Sequence, residues 1–456
     1  MKITPLIHFD VSAMRRPGGQ SKVVGLSRRA YFLGLVSLLI CLLTTGNALG
    51  SGYDKSQDAD VVISLGSLNG PNGYRITGRN DGDQAGRSLR NAGDINGDGL
   101  DDFIIGAPSA SPNGTQNAGE AYVIFGRTTN PPSLSLNDLD GNNGFRVSGL
   151  AFNDEIGYAV SGAGDVNKDG YGDLIIGAPG VEADDDIEDA GAAYVIFGRA
   201  TFTAQLNLEA LNGTNGFRLD GIMADARTGA SVAHAGDING DGYDDVLIGA
   251  PEAAVGGKEW VGQAFAVMGR HSFPPVINLN TLNGSDGFVI NGVAAESSTG
   301  KILRSAGDMN QDGYDDIAIV AGSYLTGRSL DTGTIYVIFG QPTFTAKFNL
   351  TGLNGSNGFR IEGIAKGDNA GRSIAPAGDV NGDGRFDLVI GAPYAAAHTG
   401  EAYVVFGQAS YPAALNLSAL NGSNGVRLVG SDVNGEVGTA VGAADVNGDG
   451  LEDIII

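Results

Sequence analysis

The chain is poor in the residues that carry most enzymatic chemistry. It has one cysteine, one tryptophan and four histidines in 456 residues. The cysteine, Cys41, falls in an N-terminal apolar run. The rest of the chain therefore has neither disulfide staples nor a cysteine nucleophile. Neither His-Glu-x-x-His nor Gly-x-Ser-x-Gly occurs, which removes two common hydrolase signatures. His234, His271 and His398 are scattered singly, as structural or surface histidines are. Basic residues are scarce: 28 Lys and Arg stand against 52 Asp and Glu, for a formal net charge of −24. Such an exterior excludes a nucleic-acid partner, whose phosphates require basic surface. Amphipathic helical patterning is nearly absent, and no apolar run is long enough for a membrane-spanning helix.

The longest apolar run, Tyr31–Leu43, is of a length that suits the core of an export signal. Arg28 and Arg29 flank it, and Gly46-Asn-Ala48 offers small residues for cleavage after Ala48. Ser27-Arg-Arg-Ala-Tyr-Phe-Leu33 is similar to the twin-arginine export motif, and general secretion is equally compatible. Ile40 stands before Cys41 where a lipoprotein signal needs a small residue. Residues 1–48 are thus expected to be a signal peptide and 49–58 a short linker, with no stable membrane insertion after cleavage. The mature chain would be secreted, extracellular or at the cell surface, with a bacterial periplasm as a further compartment.

Glycine is abundant, 74 residues, against about 7 % in average proteins. It sits in turns around short apolar runs such as Asp102–Ile105 and Tyr122–Phe125, which read as strands. The expected class is all-β. A nine-residue pattern, D-x-N-x-D-G-x-x-D, occurs six times, beginning at Asp94, Asp165, Asp237, Asp308, Asp379 and Asp445. The spacings are 71, 72, 71, 71 and 66 residues, the mark of a repeated supersecondary unit.

The loop has the spacing of a Ca²⁺ cage, which needs six to eight oxygens. Position 1 is the aspartate just named. Position 3 gives Asn96, Asn167, Asn239, Asn310, Asn381 and Asn447; position 5 gives Asp98, Asp169, Asp241, Asp312, Asp383 and Asp449. Position 6 is always glycine, as a turn with positive φ requires. Position 7 would offer a backbone carbonyl, so its side chain is expected to vary freely: Leu100, Tyr171, Tyr243, Tyr314, Arg385 and Leu451. Position 9 would close the cage with Asp102, Asp173, Asp245, Asp316, Asp387 and Asp453. Position 8 varies and is excluded as a ligand. Up to six structural Ca²⁺ are expected. They would return twelve of the 29 net negative charges after residue 48, leaving about −17. With strands on both sides and no closing Glu at position 12, the loop is not an EF-hand.

Each repeat contains a strand, the loop, a strand ending in Gly-Ala-Pro, a variable link, a strand ending in Phe-Gly, a long link and a fourth strand. Four antiparallel strands repeated in a ring make a β-propeller. Ile105-Gly-Ala-Pro108 and Phe125-Gly126, with later copies at Gly177-Ala-Pro179, Gly249-Ala-Pro251, Gly391-Ala-Pro393, Phe197-Gly198, Phe339-Gly340 and Phe406-Gly407, resemble the FG-GAP repeat of integrin α heads and similar bacterial secreted proteins. Met268-Gly269 and Val320-Ala-Gly322 depart from it. The resemblance covers residues 59–456. It implies a seven-bladed ring with variable links on one face and calcium loops on the other. This chain would hold five complete and two partial blades, because Ile454-Ile-Ile456 stops inside a second strand, as in a C-terminally truncated sequence.

The expected function is a non-enzymatic adhesion or recognition module similar to an integrin α head. It would bind an extracellular protein or glycan through Ser109–Ala118, Gly180–Ala190, Glu252–Gly262, Ser323–Thr332 and Tyr394–Thr399. The alternative is the non-catalytic propeller of a larger secreted hydrolase or phospholipase. Trp260 and the tripeptide Lys366-Gly-Asp368 are weaker contact candidates.

Overall fold

Short apolar runs bounded by glycine and asparagine fold as meanders, since neither length nor period supports helices. The computed structural model describes residues 65–182, 187, 189–322 and 332–456. The expected signal peptide, the linker and the start of the propeller at 59–64 lie outside the described residues. So do most of 183–188, the acidic part of one link, and nearly all of another, 323–331.

Five complete antiparallel blades follow one another. The first consists of Ser88–Gly93, Asp102–Ala107, Glu120–Ile124 and Gly144–Ser148. The second consists of Ala159–Gly164, Asp173–Ala178, Ala192–Ile196 and Gly216–Asp220. The third contains Ser231–Gly236, Asp245–Ala250, Gln263–Val267 and Gly287–Asn291. The fourth contains Ile302–Gly307, Asp316–Ala321, Thr334–Ile338 and Gly358–Glu362. The fifth contains Ser373–Gly378, Asp387–Ala392, Glu401–Val405 and Gly425–Val429. Partial blades stand at either end: Arg75–Thr77, and Gly442–Ala444 paired with Asp453–Ile455. The first strands of successive blades pack side by side, so they surround a common axis. The molecule is an all-β propeller.

The blades differ from the expected four strands in one respect. The link between third and fourth strands adds a short parallel strand to the outer edge of the preceding blade. Gln205–Leu206 joins the first blade, Val276–Asn278 the second, Lys347–Asn349 the third and Ala414–Asn416 the fourth. Ser133–Ser135 joins Arg75–Thr77 in the same way. An exposed edge is thereby covered and each blade is latched to its predecessor. Two or three residues carry too little alternation to be read as a strand. A 3₁₀ turn follows each one, capped by the side chain of Ser135, Asn207, Asn278, Asn349 or Asn416. The turns at Asn212, Asn283, Asn354 and Asn421 are stitched by the asparagine side chain to the hydroxyl two residues on.

The same link carries an aromatic that explains the Phe of Phe-Gly. Phe202, Phe273, Phe344 and Tyr411 stack on Phe145, Phe217, Phe288 and Phe359 of the preceding blade at 4.0–4.4 Å. Phe125, Phe197 and Phe339 complete the triplets, and Met268 is buried in the cluster of the remaining one. Burying each ring contributes about 1.5–3 kcal/mol.

The glycine of Gly-Ala-Pro is set by close approach between blades. A Cβ at Gly177 would lie 1.9 Å from the carbonyl oxygen of Gly229, at the entry to the next blade. Gly177→Ala is therefore expected to destabilise the chain by about 3 kcal/mol. Urea unfolding measures this, and a midpoint equal to that of the unaltered chain would contradict the packing. The fourth copy has Val320 at this place, and its Cγ1 lies against Gly371, where an added Cβ would come within 3.1 Å.

Candidate calcium loops and the two faces of the propeller

The nine-residue loops join first to second strands and gather at one end of the blades. In the first loop Asp94 Oδ1 accepts from the Gly97 and Asp98 amides, at 2.7 and 3.0 Å, and Oδ2 from Gly99, at 2.8 Å. Asn96 Oδ1 accepts from the Asp98 amide and Asp98 Oδ1 from the Leu100 amide, both at 2.9 Å. Asn96 Nδ2 donates to Asp98 Oδ2. The later copies repeat most of this set. Position 6 has the expected left-handed backbone, with φ of 84–92° in all six copies. Position 4 is left-handed as well, even where it is Lys168 or Gln311.

Position 9 behaves differently from positions 1, 3 and 5. Asp102, Asp173, Asp245, Asp316 and Asp387 are buried at the start of their second strands. Oδ2 of each accepts the amide of loop position 2, at Ile95, Val166, Ile238, Met309 and Val380. Oδ1 accepts the amide of the Phe-Gly glycine or its counterpart, at Gly126, Gly198, Gly269, Gly340 and Gly407. This carboxylate pins the loop to the end of the third strand; the residue there is glycine because a Cβ at Gly198 would lie 2.3 Å from the Gly172 carbonyl oxygen. Asp453, in the partial sixth copy, keeps the bond to Val446.

Desolvation is the largest influence on these acids. It raises Asp173, Asp245 and Asp316 to about 8, and Asp102 and Asp387 to about 7. The two backbone donors oppose the rise, and the loop's position-5 and position-1 aspartates add to it. A folded pKa above the ordinary 3.8 means stability present below that pH and lost as pH rises toward about 8. A cation held by the loop would supply the missing counter-charge in that window. The rise in melting temperature on adding saturating Ca²⁺ is accordingly expected to be larger at pH 8 than at pH 5. Thermal melts at the two pH values check it, and an equal or smaller rise at pH 8 would contradict it.

Positions 7 and 8 tie neighbouring loops together, which sequence reasoning missed. Position 7 was expected to vary freely; instead its side chain covers position 4 of the preceding loop. The Tyr171 ring lies over Gly97 and the Tyr314 ring over Gly240, where an added Cβ would come within 2.6 and 2.5 Å. The Lys168 ammonium sits 5.2 Å from the Tyr243 ring centroid. At position 8, Asp244 and Asp315 accept the position-1 amides of the preceding loops, Asp165 and Asp237, at 2.7 and 2.9 Å. Glu452 reaches Asp379 in the same way. These residues vary in pairs across blades, so a position-by-position reading of one loop does not show the coupling.

The fit to Ca²⁺ rests on the donors. The loop presents hard oxygens held in place by backbone amides, and Asp94 Oδ2 and Asp98 Oδ1, each accepting one amide, keep a lone pair for a cation. Asn381 Oδ1 is buried without a hydrogen-bond partner, an oxygen that a cation would satisfy. Among the described residues no three His, Cys, Asp or Glu side chains are grouped to hold a metal. The position-9 acid is turned onto its two amides, and an asparagine stands between the other two aspartates. The side chains at positions 1, 3 and 5 and the position-7 carbonyl are the residues that would hold the ion, with position 9 behind them.

The opposite face is irregular. The link after the first Gly-Ala-Pro forms a 3₁₀ turn at Pro112–Gly114, the third a bridge from Val255 to Lys258, and the fifth a short helix at Ala395–His398. Trp260 is half-buried, and Asp368 of the Lys-Gly-Asp tripeptide accepts its own turn's Ala365 amide. Phe152, in the turn leading to the second blade, is 63 % exposed. A polar hollow of about 170 Å³ is lined by Arg79, Asn113, Glu120, Arg146 and Gln205. Arg79 holds the buried Glu120 at 2.7 Å, with Ser148 and Tyr122 also donating to that carboxylate. Arg427 and Tyr403 repeat the motif on Glu401.

Loops repeated in register from blade to blade define a repeat β-propeller. The FG-GAP repeat family matches residues 85–124, 156–196, 228–265 and 370–405. The chain carries FG-GAP repeats folded as blades of a β-propeller. It is 27 % identical to integrin alpha-V of Gallus gallus over 54 % of this chain and 20 % of that protein. Integrin alpha-5 of Xenopus laevis gives 28 % over 57 % and 21 %. Phosphatidylinositol-glycan-specific phospholipase D of Homo sapiens gives 28 % over 66 % and 34 %. The chain thus spans about a fifth of these two integrin chains and about a third of the phospholipase. No described helix is long and apolar enough to cross a membrane.

Proposed function

We propose that this chain is a secreted, non-catalytic recognition module. Its loops bind Ca²⁺ as structural staples, and its variable face binds an extracellular protein or glycan. The observation that carries this reading is the contrast between the two faces. One face repeats a single bonded loop six times, which suits support rather than discrimination. The other changes its backbone conformation from blade to blade and leaves Phe152 exposed, which suits contact with a partner. Similarity to integrin alpha chains supports the recognition role.

The test is an array of glycans and matrix proteins probed with the calcium-loaded chain, followed by Phe152→Ser. Binding is expected to fall at least tenfold in the variant while its melting temperature stays unchanged. An array without a saturable ligand, or a ligand indifferent to exchange of the variable links, would defeat the reading. The similarity to the phospholipase supports a second reading, a propeller attached to a catalytic domain. A hydrolase domain in the same reading frame would favour it.

A further inference from the structure

The innermost strands carry charges that neither the loops nor the variable face uses. The residue four before each loop's first aspartate is Arg90, Ser161, Ala233, Arg304 and Ala375 in the five complete blades. All five hold one register, opposite Ile104, Ile175, Leu247, Ala318 and Val389 of the second strands. Since the first strands stand around the axis, these positions form one level of the central channel. Three are small. The two arginines are three blades apart at that level of the axis.

Neither guanidinium has an acidic partner among the described residues. Each donates from Nη1 to the carbonyl of the residue before it, Leu89 at 2.8 Å and Leu303 at 2.7 Å. That bond fixes the head group and leaves its other donors free. Five other described arginines have acidic partners: Arg79 with Glu120, Arg218 with Asp220, Arg227 with Glu155, Arg360 with Glu362 and Arg427 with Glu401. The acids nearest the loop end of the first strands are already committed. Asp101 bonds Asn91, while Asp244 and Asp315 bond the loop amides, Asp244 also meeting His234. Arg304 is half-buried and Arg90 exposed; desolvation of Arg304 and the nearby Arg90 charge both work against its protonated form. Two unneutralised forks at one level of the axis, in a chain of net charge −24, are an arrangement an oxyanion would relieve, because guanidinium geometry matches paired oxygens.

We propose that the central channel binds a small dianionic oxyanion between Arg90 and Arg304. The site needs both blades in place, so an occupying anion would also tie the first blade to the fourth.

Sulfate is the probe, titrated calorimetrically into the full calcium-loaded chain against chloride at equal ionic strength. One saturable sulfate per chain is expected. Arg90→Ser and Arg304→Ala, which install residues that other blades carry at this level, should each weaken it at least tenfold. The double variant should show no saturable heat and should melt higher than the unaltered chain when sulfate is absent. Absence of saturable binding in the unaltered chain, or equal binding in the double variant, would overturn the proposal. If the double variant fails to fold, unchanged sulfate affinity in either single variant would overturn it equally.

Discussion

Replacing Asp245 by alanine should unfold the third blade, with or without calcium. The Asp245 carboxylate is buried and receives the amides of Ile238 and Gly269 at 3.0 and 2.8 Å. Removing it leaves two enclosed donors unsatisfied, at about 1–3 kcal/mol each. It also frees the loop from the third strand. A total of about 3–6 kcal/mol is a large part of the 5–15 kcal/mol typical of a folded protein. Asp245→Asn offers an acceptor to only one of the two amides, so it should fall between alanine and the unaltered chain. Asp101→Ala is the control. Asp101 touches Asn91 from an exposed position, and its loss should change stability by less than about 0.5 kcal/mol. Thermal melts of the variants decide the matter. An Asp245→Ala chain melting at the same temperature as Asp101→Ala would show that the carboxylate pins nothing.

Chelation should produce the second large effect. A small three-carboxylate loop suits the weak affinity of extracellular modules, with Kd on the order of 10⁻⁴–10⁻³ M. At about 2 mM free calcium, mass action then gives about 0.6–1.8 kcal/mol per loop. Six loops acting together would contribute about 4–11 kcal/mol, so excess chelator should lower the melting temperature on the order of 10 °C. The loops are joined: position 8 of one caps the first amide of its neighbour, and position 2 of one accepts the amide after the next Phe-Gly glycine, as Ile95 does from Arg199 at 2.9 Å. Calcium should therefore act on neighbouring blades together, and the melt should move as one transition. A chain whose melt is unmoved by chelator would not be stapled by calcium.

Much of this architecture was legible because the repeat supplied internal comparison. Asp-x-Asn-x-Asp-Gly set beside its own copies showed which positions a turn demands, and the positive φ at Gly99 and its counterparts followed. The five complete blades and both partial ones were expected from strand punctuation together with the FG-GAP resemblance. What lay hidden was whatever joins one copy to the next. The parallel strand at Gln205–Leu206 is too short to have a period. The position-7 side chains looked unconstrained because Tyr171 answers to Gly97, in another copy, rather than to its own loop. Asp102 was expected to close a cage; its geometry shows a second task, since both oxygens hold backbone amides. The Phe-Gly signature was recognisable as a pattern, but its reason, the close approach of Gly126 to the Asp101 carbonyl and the phenyl in an interblade stack, required coordinates.

The central claim is that the repeated loop is a calcium site. Equilibrium dialysis of the chain against millimolar calcium, with the bound ion counted by elemental analysis, tests it most directly. The account predicts close to six Ca²⁺ per chain, one for each loop, and loss of one ion in a variant carrying Asp237→Ala and Asp241→Ala together. Fewer than one bound Ca²⁺ per chain, or a count unchanged by that variant, would contradict it.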